Sequence, residues 1–149
     1  MKYVSLKATL FAVLILGMVA PLAAQQAEDF GDFEVHYSTL NTNMLSPEVA
    51  RAYGIQRSGN RAMLNITVLD KNDTGLNTAM TARVSAEATN LTGQRRVIEL
   101  EEIRDQDAIY YIGTFRIHNE ETLNFRVSVQ PEGSPRPREF SFRQQFYVN

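Results

Sequence analysis

Three arginines carry the most suggestive chemistry of this chain. Arg83, Arg126 and Arg143 each stand on the polar side of a segment in which apolar and polar residues alternate. A guanidinium is a planar fork of donors that matches carboxylate and phosphate oxygens two at a time. If the three segments lie in one sheet, their arginines share a face able to receive carboxylate, phosphate or lipopolysaccharide groups. The competing use is ordinary surface pairing with Glu87 and its acidic neighbours, and exposed pairs contribute little.

A second candidate is the stretch Asn41 to Asn60. Connections longer than about 12–15 residues often carry function or partner contacts. Met44, Tyr53 and Arg57 are the side chains there that would make them. The competing reading has Leu45, Val49 and Tyr53 capping one end of the hydrophobic core.

The remaining reactive residues form weaker patterns. Glu99, Glu101, Glu102, Asp105 and Asp107 could act as paired acids if shielded from water. Read as a solvated edge strand, the same charges discourage sheet-to-sheet aggregation. Asp70-Lys71-Asn72-Asp73-Thr74-Gly75 resembles the start of a calcium loop, but its twelfth position is Thr81 where a bidentate carboxylate is needed. Read as a turn, the segment supplies the Asn, Asp and Gly that turns favour. His36 and His118 are the only histidines, fewer than a metal site of three or four ligands requires. There is no G-x-S-x-G elbow and no phosphate-cradling glycine loop. The absence of cysteine removes thiol catalysis, thiolate metal ligation and disulfide staples. No catalytic residue, metal ligand or cofactor-binding set is therefore assigned.

The elements that position these residues follow a period of two, the signature of half-buried strands. Phe33, Val35 and Tyr37 form one apolar row; Leu64, Ile66 and Val68 a second; Met80, Ala82, Val84, Ala86 and Ala88 a third. Ile98 and Leu100, then Ile109, Tyr111, Phe115 and Ile117, then Leu123, Phe125, Val127 and Val129 follow, and Phe140, Phe142, Phe146 and Val148 close the chain. About seven strands, each with one apolar face, predict an all-β fold: a single antiparallel sandwich, immunoglobulin-like or fibronectin-like. A small closed barrel is the alternative. One short helix is predicted over Ser46–Tyr53, in an early crossover. Ser46 can cap it, Pro47 suits its first position and Gly54 its stop.

Residues 1–24 read as a cleaved secretory leader. Lys2 and Lys7 precede the apolar run Ala8–Val19, Pro21 breaks it, and Leu22-Ala23-Ala24 ends in small residues. The run is short of the roughly 20 residues that span a bilayer, so no stable membrane anchor is expected after cleavage near Ala24. Residues 25–149 then form one domain, expected in the periplasm. The whole chain carries a net charge of −2, and loss of the two leader lysines makes it about −4. That balance argues against nucleic acid, which demands clustered positive charge.

The ordered set Val35-His36-Tyr37, Leu45-Ser46-Pro47-Glu48-Val49-Ala50, Tyr53-Gly54-Ile55-Gln56-Arg57-Ser58 and Leu64-Asn65-Ile66-Thr67-Val68 resembles the DUF4426 family, small exported proteins of Gram-negative bacteria. The resemblance covers Phe30 to Val148. It implies a periplasmic, sandwich-like domain and no reaction, because the family has no assigned function to carry over. The expected function is a non-enzymatic binding or accessory module for an envelope protein or cell-envelope ligand. A small periplasmic hydrolase, or a structural or stress-protection protein without a dedicated ligand, are the alternatives.

Overall fold

The computed structural model describes residues 26–72 and 77–149. Its elements are β1 (Gln26–Asp29), β2 (Phe33–Asn41), α1 (Pro47–Ala52), β3 (Arg61–Asp70), β4 (Thr78–Ala79), β5 (Ala82–Asn90), β6 (Arg95–Ile98), β7 (Glu101–Asp105), β8 (Ala108–Arg116), β9 (Glu121–Pro131) and β10 (Arg138–Phe146). They form two antiparallel sheets. One runs β1-β2-β3-β8-β7, with β4 on the far end of β3; the other runs β10-β9-β5-β6. Setting aside the short β1 and β4, this is the A-B-E-D and G-F-C-C′ order of an immunoglobulin-type sandwich. The expected fold class therefore holds, and no barrel closes.

The period-two rows point inward. Val35, Leu64, Ile66, Ala88, Leu123, Val127 and Val129 are completely buried. Aromatic rings knit the two sheets. Tyr37 of β2 packs on Phe140 and Phe142 of β10 with centroids 4.8 and 4.5 Å apart, and Phe115 of β8 meets Phe125 and Phe146 edge-on, 5.5 Å from each. The buried hydroxyl of Tyr111 accepts the backbone N–H of Ala82 across the sandwich at 2.8 Å. Burial of that phenol raises its pKa, with the Ala82 hydrogen bond opposing the rise.

Three sequence expectations are corrected. Ile98–Glu101 does not lie in one strand: β6 ends at Ile98 in one sheet and β7 begins at Glu101 in the other. Ile98 and Leu100 face the core on either side of that switch, so the alternation runs through it unbroken. Val148 lies outside the core, 38% exposed, because β10 ends at Phe146 and the tail turns away. The stretch Asn41–Asn60 is not a crossover, since β2 and β3 are hydrogen-bonded neighbours. It is an elaborated hairpin connection folded onto the outer face of the first sheet. Met63 and Ile112 point to that outer face yet are only 5% and 6% exposed, and Ala50 of α1 is buried with them.

The helix forms as its sequence dictates. Ser46 Oγ accepts the N–H of Val49 at 3.2 Å, and Pro47 occupies the first turn. At the other end Gly54 adopts φ +66°, the left-handed conformation that glycine enters without strain. That lets Gly54 N–H reach Arg51 O and Ile55 N–H reach Ala50 O, a paired C-terminal cap.

Candidate functional site

The two long flanks of the sandwich are built differently. On one, the chain steps from β6 to β7 across the gap between the sheets and passes over β8 at Gly113. A Cβ on Gly113 would stand 2.3 Å from Glu99 O and 2.8 Å from the Ile98 side chain. Only a residue without a side chain allows that approach. Arg96 of β6 reinforces the same flank: it donates to Arg116 O and, at 2.7 Å, to Glu121 Oε1. Burial opposes charge on Glu121. Hydrogen bonds from the His118 N–H and ring, together with Arg96, outweigh it and hold the carboxyl below its ordinary range.

The other flank, between β2 and β10, closes only at one end. There Phe30 stacks on Phe33, meets Phe140 at 6.4 Å, and lies under the Arg138 guanidinium at 6.0 Å. Lys71 Nζ anchors the adjoining turn through Asp29 at 2.6 Å. At the other end the flank opens into a groove of about 810 Å³ between the two sheets, lined by residues of β2, β10 and both chain segments that follow them. Its floor is apolar, from Tyr37, Phe142 and Phe146, with Leu40, Met44 and Tyr147 at the rim. The groove exists because the inward rows fail there. The row Phe33-Val35-Tyr37 continues as Thr39, and the row Phe140-Phe142 continues as Gln144. Neither can fill the space that a larger apolar side chain would occupy. Asn41 Nδ2 donates to Tyr147 O at 2.7 Å and fixes the end of the groove.

The backbone along this groove is also incomplete. β1 pairs with β2 only over Glu34–Tyr37, while β3 pairs with β2 along its whole length, to Asn41. Among the described residues Ser38–Asn41 therefore has one strand neighbour, β3, and one open side. On that side alternate residues present an N–H and a C=O that no described strand takes. Among the described residues no charged side chain lines the groove; its polar side chains are amides and hydroxyls, from Gln26, Ser38, Thr39, Asn41, Gln144, Gln145, Tyr147 and Asn149.

The three arginines do share the outer face of one sheet, on β5, β9 and β10. Register separates them. Arg126 stands between Ser141 and Glu87, and Arg143 opposite Asn124, which makes Arg126 and Arg143 diagonal neighbours roughly 7 Å apart. Arg83 lies opposite Gln130, four residues up the strand from Arg126, roughly 13 Å along it, and farther still from Arg143. Arg143 Nε donates to Asn124 Oδ1 at 2.8 Å. Glu87 makes its ion pair with Arg95, at 3.2 Å, and not with the arginines beside it.

The residues of the long connection also part company. Tyr53 packs over Tyr110 on the outer face of the first sheet, 6.4 Å between centroids, and its burial, with Asp105 nearby, raises its pKa. Arg57 is turned back onto the connection itself and donates to Asn43 O at 2.9 Å. Met44, 66% exposed, reaches the groove rim. Leu45, Val49 and Tyr53 do not cap the end of the core: the connection lies against a sheet face, and Val49 is 39% exposed. Of the six residues singled out from sequence, Met44 alone belongs to the groove. The signal for the groove residues missed from sequence was Thr39 and Gln144, polar residues at inward positions of two strands.

The remaining motifs do not assemble. Glu99 lies between β6 and β7, and Glu101, Glu102 and Asp105 lie along β7, an edge strand; Glu102 pairs with Arg104 at 2.7 Å. His36 sits on the outer face of the first sheet, its Nε2 3.1 Å from Glu34 Oε1, and His118 in the β8–β9 turn beside Glu121. Among the described residues no group of three or more His, Asp or Glu could hold a metal ion. Asp73, Thr74 and Gly75 of the calcium-like loop lie outside the described residues. No described helix is long and apolar enough to cross a membrane.

Comparison with known proteins agrees with this fold. A DUF4426 family protein from Pseudomonas aeruginosa PAO1 is 32% identical and superposes with a TM-score of 0.73, over 84% of this chain and 96% of that one. FetP of uropathogenic Escherichia coli strain F11, recombinantly expressed in the periplasm, superposes with a TM-score of 0.60 at 12% identity, covering 85% and 95% of the two chains. A copper-bound variant of FetP gives 0.59 at 11% identity, over 85% and 97%. At those identities the likeness to FetP is one of fold. No curated protein matches the chain. The family model for the domain of unknown function DUF4426 matches residues 27–149, and the chain belongs to that family.

Proposed function

We propose that this protein is a non-enzymatic periplasmic binding module that captures an extended segment of an envelope protein by strand addition on its open flank. The observation that carries this reading is the Ser38–Asn41 edge, unpaired among the described residues, beside an apolar groove. An exposed edge supplies affinity through main-chain hydrogen bonds, and the pocket beside it supplies selectivity for alternate side chains. The leader-like sequence of residues 1–24 supports the periplasmic placement. The test is a photo-crosslinking residue in place of Thr39, compared in living cells with one at exposed Val97 on the opposite flank. A reproducible envelope partner at position 39 and none at 97 is the expected result. Equal crosslinking at both positions, or none at either, would sink the reading.

A second reading gives the arginine face to an anionic cell-envelope ligand. Its support is Arg126, which has no ion-pair partner among the described residues, with Arg143 diagonal to it. Reversing the charge of Arg83, Arg126 and Arg143 together should abolish lipopolysaccharide binding; unchanged binding would remove this reading.

A further inference from the structure

Resting on the strand-addition reading, the groove also specifies what kind of segment it takes. We infer that the partner is an uncharged extended stretch, running antiparallel to β2, with apolar side chains at alternate positions.

Polarity and register follow from β1. Gln26 pairs with Tyr37 and runs antiparallel to β2. A segment added beyond it, along Ser38–Asn41, continues the line of β1 with its C-terminal end toward Gln26. Antiparallel pairing is also the slightly more stable arrangement, and it is the only one in this sheet. Side-chain direction then follows from the pleat. Tyr37 and Thr39 face the interior, so partner residues opposite Thr39 and Asn41 point down toward Phe142 and Phe146. Those opposite Ser38 and Leu40 point out.

The chemistry follows from the lining. In a chain with 21% charged residues, the described groove wall has no charged side chain, so a charged partner residue finds no side-chain counter-ion there. A charged group entering there loses hydration and gains no ion pair. The amides and hydroxyls along the rim satisfy neutral polar groups, and the aromatic floor takes apolar ones.

The test uses the chain from Gln25 to Asn149 and a capped hexapeptide alternating valine and threonine. Two counterparts carry lysine or glutamate at the inward positions. Binding is read from backbone amide NMR shifts. The neutral peptide should perturb Ser38, Thr39 and Leu40, and both charged peptides should bind at least tenfold more weakly. Equal binding by a charged peptide would overturn the inference about partner chemistry and leave strand addition standing. Shifts confined to β10 would overturn the assignment to the β2 edge. No peptide binding, together with a partner crosslinked at position 39, would overturn this inference alone. With no crosslink either, the strand-addition reading falls as well.

Discussion

The two flanks of this sandwich face the same physical problem and solve it in opposite ways. Each is a line along which two sheets must end, leaving apolar interior and unpaired backbone beside water. The flank at β6 and β7 is sealed by the chain itself, which crosses between sheets over Gly113 and is braced by Arg96 and Glu121. The flank at β2 and β10 is sealed by Phe30 at one end and left as a groove at the other. Close packing at Gly113 on the first flank leaves no room for one added carbon. On the second, Thr39 and Gln144 stand where larger apolar side chains would complete the core. A flank built for stability and one built for access should respond differently to substitution.

The largest effect is expected at Gly113. Gly113→Ala places a Cβ against a main-chain oxygen that cannot move without opening the sheet switch, and should cost about 3 kcal/mol. Urea unfolding measures this. A loss below 1 kcal/mol would mean the crossing is pliable and the flanks differ less than their geometry says.

Next comes Glu121→Gln, which leaves the half-buried Arg96 guanidinium without its counter-charge. Hydrogen bonds to charged groups are worth about 2 kcal/mol here. The same carboxylate makes the closed flank acid-sensitive. Its folded pKa lies below the unfolded one. Its contribution is therefore complete above the unfolded value, roughly 4.3, and fades as pH falls through the folded pKa. Melting temperatures of the parent and Glu121→Gln should converge as pH drops below that value. A gap constant down to pH 2 would show that the carboxylate's charge is not what braces the flank.

The smallest stability change is expected on the open flank. Gln144→Glu alters an exposed residue at the groove wall and should shift unfolding by about 0.5 kcal/mol or less. It should nevertheless weaken binding of the neutral valine–threonine peptide, measured by the same amide shifts. Binding unchanged by this substitution would break the contrast between a flank for stability and a flank for access.

The period-two rows were legible in the sequence because a residue's face in a strand depends only on its place along the chain. Val35, Leu64, Phe125 and Val127 could be assigned to the core without knowing any neighbour. So could the helix, whose Ser46, Pro47 and Gly54 act within a few residues of themselves. The sheet switch at Glu99 and Leu100 was not legible, because alternation reports which side faces inward and not which sheet a strand joins. Burial of Met63 and Ile112 on an outer face was hidden for a related reason: their cover comes from a connection that folds back over the sheet.

The arginines could be placed on one face by sequence, but their spacing depended on strand register, which set Arg83 apart from Arg126 and Arg143. The groove is the sharpest instance. Thr39 and Gln144 are each visible as polar residues in an apolar row, and each alone is unremarked. The sequence by itself determined which side chains turn inward, since that follows from local backbone geometry. Only the tertiary structure decided that these two gaps face one another beside an unpaired edge, because residues about a hundred positions apart meet only once the sheets have packed.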